Sequence, residues 1–238
     1  MNPNNPQSIG ESQVTPQAMG QVTPDMVSPQ GKQALFQNLA QATQEKDKLD
    51  FIFKGIADKE GADFSSRVKN PKTVVQKIAQ KRLQGRDYKL DDINDAYGSR
   101  IIVDSEKDYG KIKKYVEKAA ELGIFKINKS ELVDTDYHKA WHIDFKTANG
   151  TKGELQILTP QQEANSVINH DLRSVHGEDM PDTVKELADK QAAIVKNMPS
   201  DKARQLAQTI SDLHKNTHGQ PLPPQVNATI LAQSQANK

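Results

Sequence analysis

The chain has 238 residues, 35% of them hydrophobic and 26% charged, so it can bury one ordinary core while a good part of its length stays outside that core. Its 32 Lys and Arg against 31 Asp and Glu exclude a global field that would draw it to nucleic acid or anionic membranes. The absence of cysteine excludes a disulfide framework and a thiolate zinc site. We find no signal-peptide pattern and no long apolar run, so we expect a cytoplasmic protein without a membrane span.

The amino-terminal part changes character about 30 residues into the chain. Residues 1–30 are rich in Asn, Gln, Pro, Ser and Gly without any period, which predicts a disordered polar arm. Apolar residues then recur at helical spacing until Gly61 interrupts them. This pattern predicts a helical extension of one or two helices over 31–62.

A helix, a strand and another helix follow in order. Pro71 fits a first helical turn, and the apolar stripe behind it places Lys77 on that helix, about one turn from its start. Residues 98–103 are typical of a buried strand, and 112–122 repeat apolar positions at three and four residues before Gly123 ends the helix. The alternation predicts an α/β (α+β) fold with a mixed sheet flanked by helices.

Apolar and polar residues alternate on both sides of Gly150, which predicts a hairpin with one apolar and one polar face. A two-residue loop would put the two polar faces out of register. With a three-residue loop in which Gly150 takes the left-handed bulge position, Asp144 opposes Glu154 and His142 opposes Gln156. Our hypothesis is this second register.

The remaining pattern divides the chain into a central domain and its carboxyl-terminal additions. The central α/β domain is predicted over 63–180. Helical patterns continue after Pro160, which predicts carboxyl-terminal helices over 181–217. Gly and Pro residues then open a polar tail over 218–238.

Three basic residues precede two isolated carboxylates along the chain: Arg67, Lys69 and Lys77, then Asp95 and Glu154. Arg grips phosphate oxygens with two donors, Lys adds a point charge, and carboxylates bind Mg²⁺, so the set suits a nucleoside triphosphate with its metal ion. The cations are equally compatible with a solvated helix face, and Asp95 with a turn or cap. Glu154 has poor strand propensity, so packing does not explain its place in a strand.

His138 and His142 are four residues apart, a spacing that on a helix would suggest a metal-binding pair. The alternation around them predicts a strand, where residues four apart are separated by about 13 Å along the backbone. We therefore expect no zinc site here.

Four segments in a fixed order resemble the synthetase domain of the RelA/SpoT family, enzymes that make guanosine tetraphosphate and pentaphosphate. They are Arg67-Val-Lys-Asn-Pro running into Lys77, Asp95-Ala-Tyr-Gly-Ser-Arg-Ile, Tyr137-His-Lys-Ala-Trp-His, and Glu154-Leu-Gln-Ile-Leu-Thr. Each segment alone is unspecific, but the order is hard to obtain by chance. The resemblance covers residues 64–178, about half of the chain.

The resemblance implies a nucleotidyltransferase-like sheet and pyrophosphate transfer from ATP to the 3′-hydroxyl of GDP or GTP, with Mg²⁺ as cofactor and AMP as the second product. It implies that Asp95 and Glu154 hold the metal and that Glu154 also activates the hydroxyl. The implied nucleotide-binding residues are Arg67, Lys69, Lys77 and Arg100 for the ATP phosphates and His138, Lys139, His142 and Gln156 for the acceptor.

Three positions depart from the family pattern. His138 replaces a tyrosine that stacks on guanine, Leu158 replaces an arginine, and Asp134 replaces a lysine. The acceptor is therefore left open between a guanosine nucleotide, an adenosine nucleotide and the 3′ end of tRNA, the last two being typical of toxin-like members with an antitoxin partner. A catalytically silent nucleotide-binding module is a further alternative. An RNA substrate would require a basic patch, for which the helix with Lys107, Lys111, Lys113, Lys114 and Lys118 is the candidate.

Overall fold

We describe a computed structural model of the chain, which covers residues 29–83, 93, 95–135, 138–176, 181–216, 222 and 224–236. The predicted arm lies outside these residues, apart from the start of the first helix. The strands are β1 Asp63–Val68, β2 Tyr97–Ile102, β3 Phe125–Thr135, β4 His138–Thr147 and β5 Lys152–Leu158. The helices are α1 Pro29–Lys59, α2 Pro71–Leu83, α3 Tyr109–Glu121, α4 Pro160–His176, α5 Asp182–Lys196, α6 Ser200–Asn216 and α7 Pro224–Ala236.

The five strands form one mixed sheet in the order β1-β2-β5-β4-β3. Only the β2–β5 pair is parallel; the other three pairings are antiparallel. The α/β (α+β) class with a mixed sheet and flanking helices is thereby confirmed. None of the described helices has the length and apolar character needed to cross a bilayer.

The two faces of the sheet differ in chemistry because side chains alternate along each strand. Apolar residues of β2, β4 and β5 face α1, α2 and α3 and form the main core. Phe53 of α1 lies at its centre, with its ring centroid 5.4 Å from Phe145, 5.6 Å from Phe125 and 6.3 Å from Tyr97. Helix α1 is therefore part of the sheet core, whereas the sequence pattern placed 31–62 in an extension.

The β4–β5 hairpin has the register expected from the sequence. Asp144 pairs with Glu154 and His142 with Gln156, and Gly150 has a φ of 97° in the loop between the strands. A positive φ of this size is readily adopted by glycine and strained for other residues. The hypothesis of a three-residue loop is confirmed, and the polar side chains of both strands share one face.

Glu45 of α1 holds the hairpin loop against the core. Its carboxylate is buried and accepts hydrogen bonds from Thr147 Oγ1 at 2.8 Å and Asn149 Nδ2 at 2.9 Å. The side chain of Gln41 donates to the Asn149 carbonyl from the same helix. Burial alone would raise the pKa of Glu45, but the surrounding hydroxyl and amide donors lower it below its ordinary value.

We expect Glu45→Gln to lower the free energy of unfolding at neutral pH by about 1–3 kcal/mol, since one donor would then face an amide NH₂. Because the pKa of Glu45 is lowered in the folded state, its charged form stabilises the fold above the ordinary glutamate pKa. This stabilisation is lost as the pH falls through the folded pKa. Urea denaturation at pH 7 and at pH 3 measures both effects. The gap between wild type and variant should shrink in acid, and the exposed Glu186→Gln should show no gap at either pH.

The carboxyl-terminal helices form a second apolar cluster, built from α4, α5, α6 and α7. The expectation of a polar tail over 218–238 is wrong for Pro224–Ala236, which is helical. Leu222 and Leu231 are buried in the cluster, and Ile230 packs against it. These few apolar residues suffice to dock a helix, although the segment's average composition is polar.

Candidate functional site

The polar face of the sheet carries charged side chains from neighbouring strands in one row. Arg67 pairs with Gly98, Gly98 with Glu154, and Glu154 with Asp144. Arg67 is exposed, and a Cβ added at Gly98 would meet no heavy atom of the described residues within 4 Å. An open space therefore lies over Gly98, between the Arg67 cation and the Glu154 carboxylate.

Lys69 forms an ion pair with Asp95 and influences the charge state of Glu154, two carboxylates that are far apart in the chain. Its Nζ lies 2.5 Å from Asp95 Oδ2, and its charge contributes to lowering the pKa of Glu154. The Lys69 backbone N–H donates to the Ala96 carbonyl at 3.0 Å, which fixes the end of β1 against the start of β2. Asp95 therefore has Lys69 as a direct ion-pair partner, and Glu154 lies within the electrostatic reach of the same ammonium group.

Glu154 is held by hydrogen bonds at both carboxylate oxygens. Gln156 Nε2 donates to Oε1 at 2.5 Å, and His142 Nδ1 lies 3.1 Å from Oε2. Burial alone would raise the pKa of Glu154, but His142, Gln156 and Lys69 together lower it. The group is therefore kept as a carboxylate in a well-defined orientation.

Arg100 braces the same network from β2. Its Nε donates to Gln156 Oε1 at 3.2 Å, and a terminal guanidinium nitrogen lies 3.6 Å from Glu163 Oε1 on α4. Burial lowers the pKa of Arg100, and the nearby Glu163 carboxylate offsets part of this effect. Since these contacts occupy its guanidinium, the side chain positions Gln156 in this structure.

His138 and His142 contact each other, which the sequence argument did not foresee. Their Nε2 atoms are 2.7 Å apart, and His138 Nδ1 lies 3.2 Å from Ser166 Oγ of α4. Both residues project from the same face of β4, and each ring extends towards the other. The backbone spacing was therefore a poor guide to the distance between their nitrogens.

Lys139 is a predicted site residue that the structure does not bring to this network. Lys139 alternates with His138, so it points to the opposite face of β4, and its Nζ lies 3.0 Å from Glu106 Oε2 and 3.3 Å from Asp134 Oδ2. Lys77 lies on α2 as expected, but its side chain is outside the part of the chain that the structure describes.

Asp144 is a site residue that the sequence argument missed. Burial raises its pKa, and the charges of Glu154 and Asp95 add to this effect, while His142 and Lys129 oppose it. The predicted hairpin register already placed Asp144 beside Glu154, and this was sufficient reason to count Asp144 among the candidate site residues. Glu163 and Ser166 of α4 were also missed, because only the folded chain brings that helix over the polar face.

Carboxylates predominate over other metal ligands at this site. Asp95, Asp144 and Glu154 offer the oxygen donors that Mg²⁺ prefers. Among the described residues, no three His, Asp or Glu side chains already form a group that could hold a metal ion. A cation bound here would need further ligands, such as phosphate oxygens or water.

The protein thus has a mixed sheet, and the polar face of this sheet carries carboxylates next to basic side chains. Residues 66–178 match a family described as a region found in RelA / SpoT proteins. Residues 66–178 belong to the RelA/SpoT family. A search among curated proteins finds no significant match.

Solved structures with the same fold include a small alarmone synthetase and a GTP pyrophosphokinase family protein. The small alarmone synthetase 1 from Bacillus subtilis is 20% identical over 78% of this chain and 97% of its own, with a TM-score of 0.50. The same enzyme bound to its product pppGpp is 18% identical over 75% and 94%, with a TM-score of 0.50. A GTP pyrophosphokinase family protein from Streptococcus pneumoniae is 17% identical over 87% and 98%, with a TM-score of 0.52.

Proposed function

We propose that the chain is an ATP-dependent pyrophosphokinase that modifies the 3′-hydroxyl of GDP or GTP and releases AMP. The observation that carries the proposal is the convergence of Asp95, Lys69 and Glu154 beside the exposed Arg67, around the space over Gly98. Membership of the RelA/SpoT family supports the reaction class. The B. subtilis neighbour, whose product is pppGpp, supports a guanosine acceptor.

The reaction joins the acceptor 3′-oxygen to the β-phosphorus of ATP and breaks the bond from that phosphorus to the α,β-bridging oxygen. The bridging oxygen leaves with AMP, and the hydroxyl proton passes to Glu154. Glu154 is suited to accept it because the network keeps it ionised and oriented. Arg67 has no ion-pair partner among the described residues, so its guanidinium can bind the phosphates.

The carboxylates fit a magnesium ion that arrives with the nucleotide. Mg²⁺ is commonly held by one or two carboxylates together with substrate phosphates rather than by a complete protein cage. Asp95 and Glu154 would be its ligands, and the metal would supply charge neutralisation for the phosphates. Lys69 would then move from the Asp95 carboxylate towards a phosphate oxygen.

The structure gives little support to a tRNA substrate. The basic segment that would form the RNA patch belongs to α3 and the turn before it, and the apolar side of α3 packs on the sheet face opposite to Glu154. Three of its lysines are matched by acids: Lys111 by Asp108 and Glu60, Lys113 by Glu117, and Lys118 by Glu121. A charge-compensated helix is a weak phosphate-binding surface.

The deciding experiment incubates the purified full chain with Mg²⁺, ATP labelled in the β-phosphate, and GDP, GTP, ATP or tRNA in separate reactions. We expect AMP release and label transfer with GDP or GTP. Label on tRNA, or on an adenosine nucleotide pyrophosphorylated at its 3′-hydroxyl, would instead support a toxin-like activity, and no turnover with any acceptor would support a silent binding module. Asp95→Asn should abolish transfer, and Asp182→Asn, an exposed residue on α5, should not.

A further inference from the structure

The polar network around Glu154 begins and ends on the same helix. Consecutive contacts lead from α4 across the sheet and back to α4, connecting Glu163, Arg100, Gln156, Glu154, His142, His138 and Ser166. Glu163 and Ser166 are three residues apart, so they share one face of α4. Glu154 is therefore supported from both directions by groups outside the reacting centre.

Hydrogen-bond chemistry fixes the direction of the His142 half of this network. Glu154 is a carboxylate and only accepts, so the His142 nitrogen facing it, Nδ1, donates. In a neutral imidazole Nε2 is then an acceptor, and the proton between the two rings belongs to His138 Nε2. His138 Nδ1 is left to accept from the Ser166 hydroxyl.

The surroundings of His138 hold its ring inside the protein. The His138 backbone N–H donates to Thr135 Oγ1 at 3.1 Å, and Thr135 Oγ1 donates to the His138 carbonyl at 3.0 Å. The ring stands at 89° to that of His142, with centroids 5.0 Å apart, and both of its nitrogens have partners. The ring could move towards a nucleotide base only by breaking these contacts.

We propose that His138 is a positioning residue, which fixes the tautomer of His142 and thereby the orientation of Glu154, and that it does not bind the acceptor base. The proposal rests on the proposed function to the extent that Glu154 accepts the acceptor proton. Partners that orient an active group from behind typically affect activity by about 10- to 100-fold. We expect an effect of that size on kcat when His138 loses its donor.

The first test uses no substrate. Nuclear magnetic resonance of the full chain labelled with ¹⁵N-histidine is expected to show His142 protonated at Nδ1, His138 protonated at Nε2, and scalar coupling between the two Nε2 nuclei. His142→Asn and His138→Gln assign the signals. A proton on His142 Nε2, or no coupling between the rings, would overturn the proposal whether or not the protein turns over ATP.

The second test separates positioning from binding by steady-state kinetics with ATP, Mg²⁺ and GDP. His138→Leu is expected to lower kcat by about 10- to 100-fold with an unchanged KM for GDP, and His138→Gln, which keeps an N–H donor, to recover part of kcat. A raised KM for GDP with an unchanged kcat would instead assign His138 to the acceptor base. His170→Gln, an exposed histidine on α4, is the matched control.

Ser166→Ala keeps the test decisive if His138→Leu does not fold. It removes the hydroxyl that donates to His138 Nδ1, and we expect a smaller loss of kcat, again at constant KM for GDP. An unchanged kcat in Ser166→Ala would contradict the positioning role of His138. If wild type shows no turnover with any acceptor, the proposed function fails, and the resonance experiment still decides the hydrogen-bond assignment.

Discussion

Glu154→Gln is expected to lower the turnover of ATP and GDP by about 10²- to 10⁴-fold, the range observed when a general base is removed. Glutamine has nearly the same shape, so the contacts with Gln156 and His142 can partly reform. It carries no negative charge for the metal and cannot accept the proton of the 3′-hydroxyl. The loss therefore measures chemistry and not packing.

AMP release measured under saturating ATP and GDP tests this expectation, with the unfolding temperature recorded for the same samples. Glu121→Gln is the matched control, since Glu121 is an exposed glutamate on α3 that forms an ion pair with the equally exposed Lys118. A variant with wild-type turnover would remove Glu154 from the mechanism. A variant that unfolds at a clearly lower temperature would show that the network stabilises the fold as well.

The hairpin register could be predicted because two local rules converge on it. Strand alternation fixes which residues share a face, and a glycine at positive φ fixes the loop length. Gly150 satisfies the second rule, so the pairing of Asp144 with Glu154 could be predicted from the sequence alone. Local chemistry was sufficient here because both strands are adjacent in the chain.

Contacts between distant segments could not be predicted in the same way. Ser166 reaches His138, and Glu163 reaches Arg100, only because α4 folds back over the polar face of the sheet. No periodicity in 160–176 encodes which strand that helix covers. The sequence pattern therefore could not predict that Glu163 and Ser166 support the network around Glu154, although both are ordinary polar residues.

Edge strands were also hard to detect from their composition. β3 runs from Phe125 to Thr135, and a bulge between Ile127 and Lys129 breaks its alternation. Most of its side chains are polar because it lies at the edge of the sheet. A period of two interrupted by one extra residue does not stand out in a polar segment.

Phe53→Ala is expected to lower the free energy of unfolding by about 3–5 kcal/mol, the usual loss for removing a buried aromatic ring. Phe53 is fully buried and contacts three other rings, those of Tyr97, Phe125 and Phe145. The cavity would weaken the contact of α1 with the sheet. Tyr97 also donates to Asp50 of α1 at 2.8 Å and directly precedes Gly98, so the damage is expected to reach the site.

Phe51→Ala is the matched control for this prediction, because Phe51 lies on the same helix but is 82% exposed. Surface substitutions usually change stability by less than about 0.5 kcal/mol, so urea denaturation should separate the two variants clearly. Equal losses in both would contradict the packing of α1 on the sheet. A large loss in Phe53→Ala alone would establish that α1 belongs to the central α/β domain, because this helix would then hold in place the strand that carries Gly98 and Arg100.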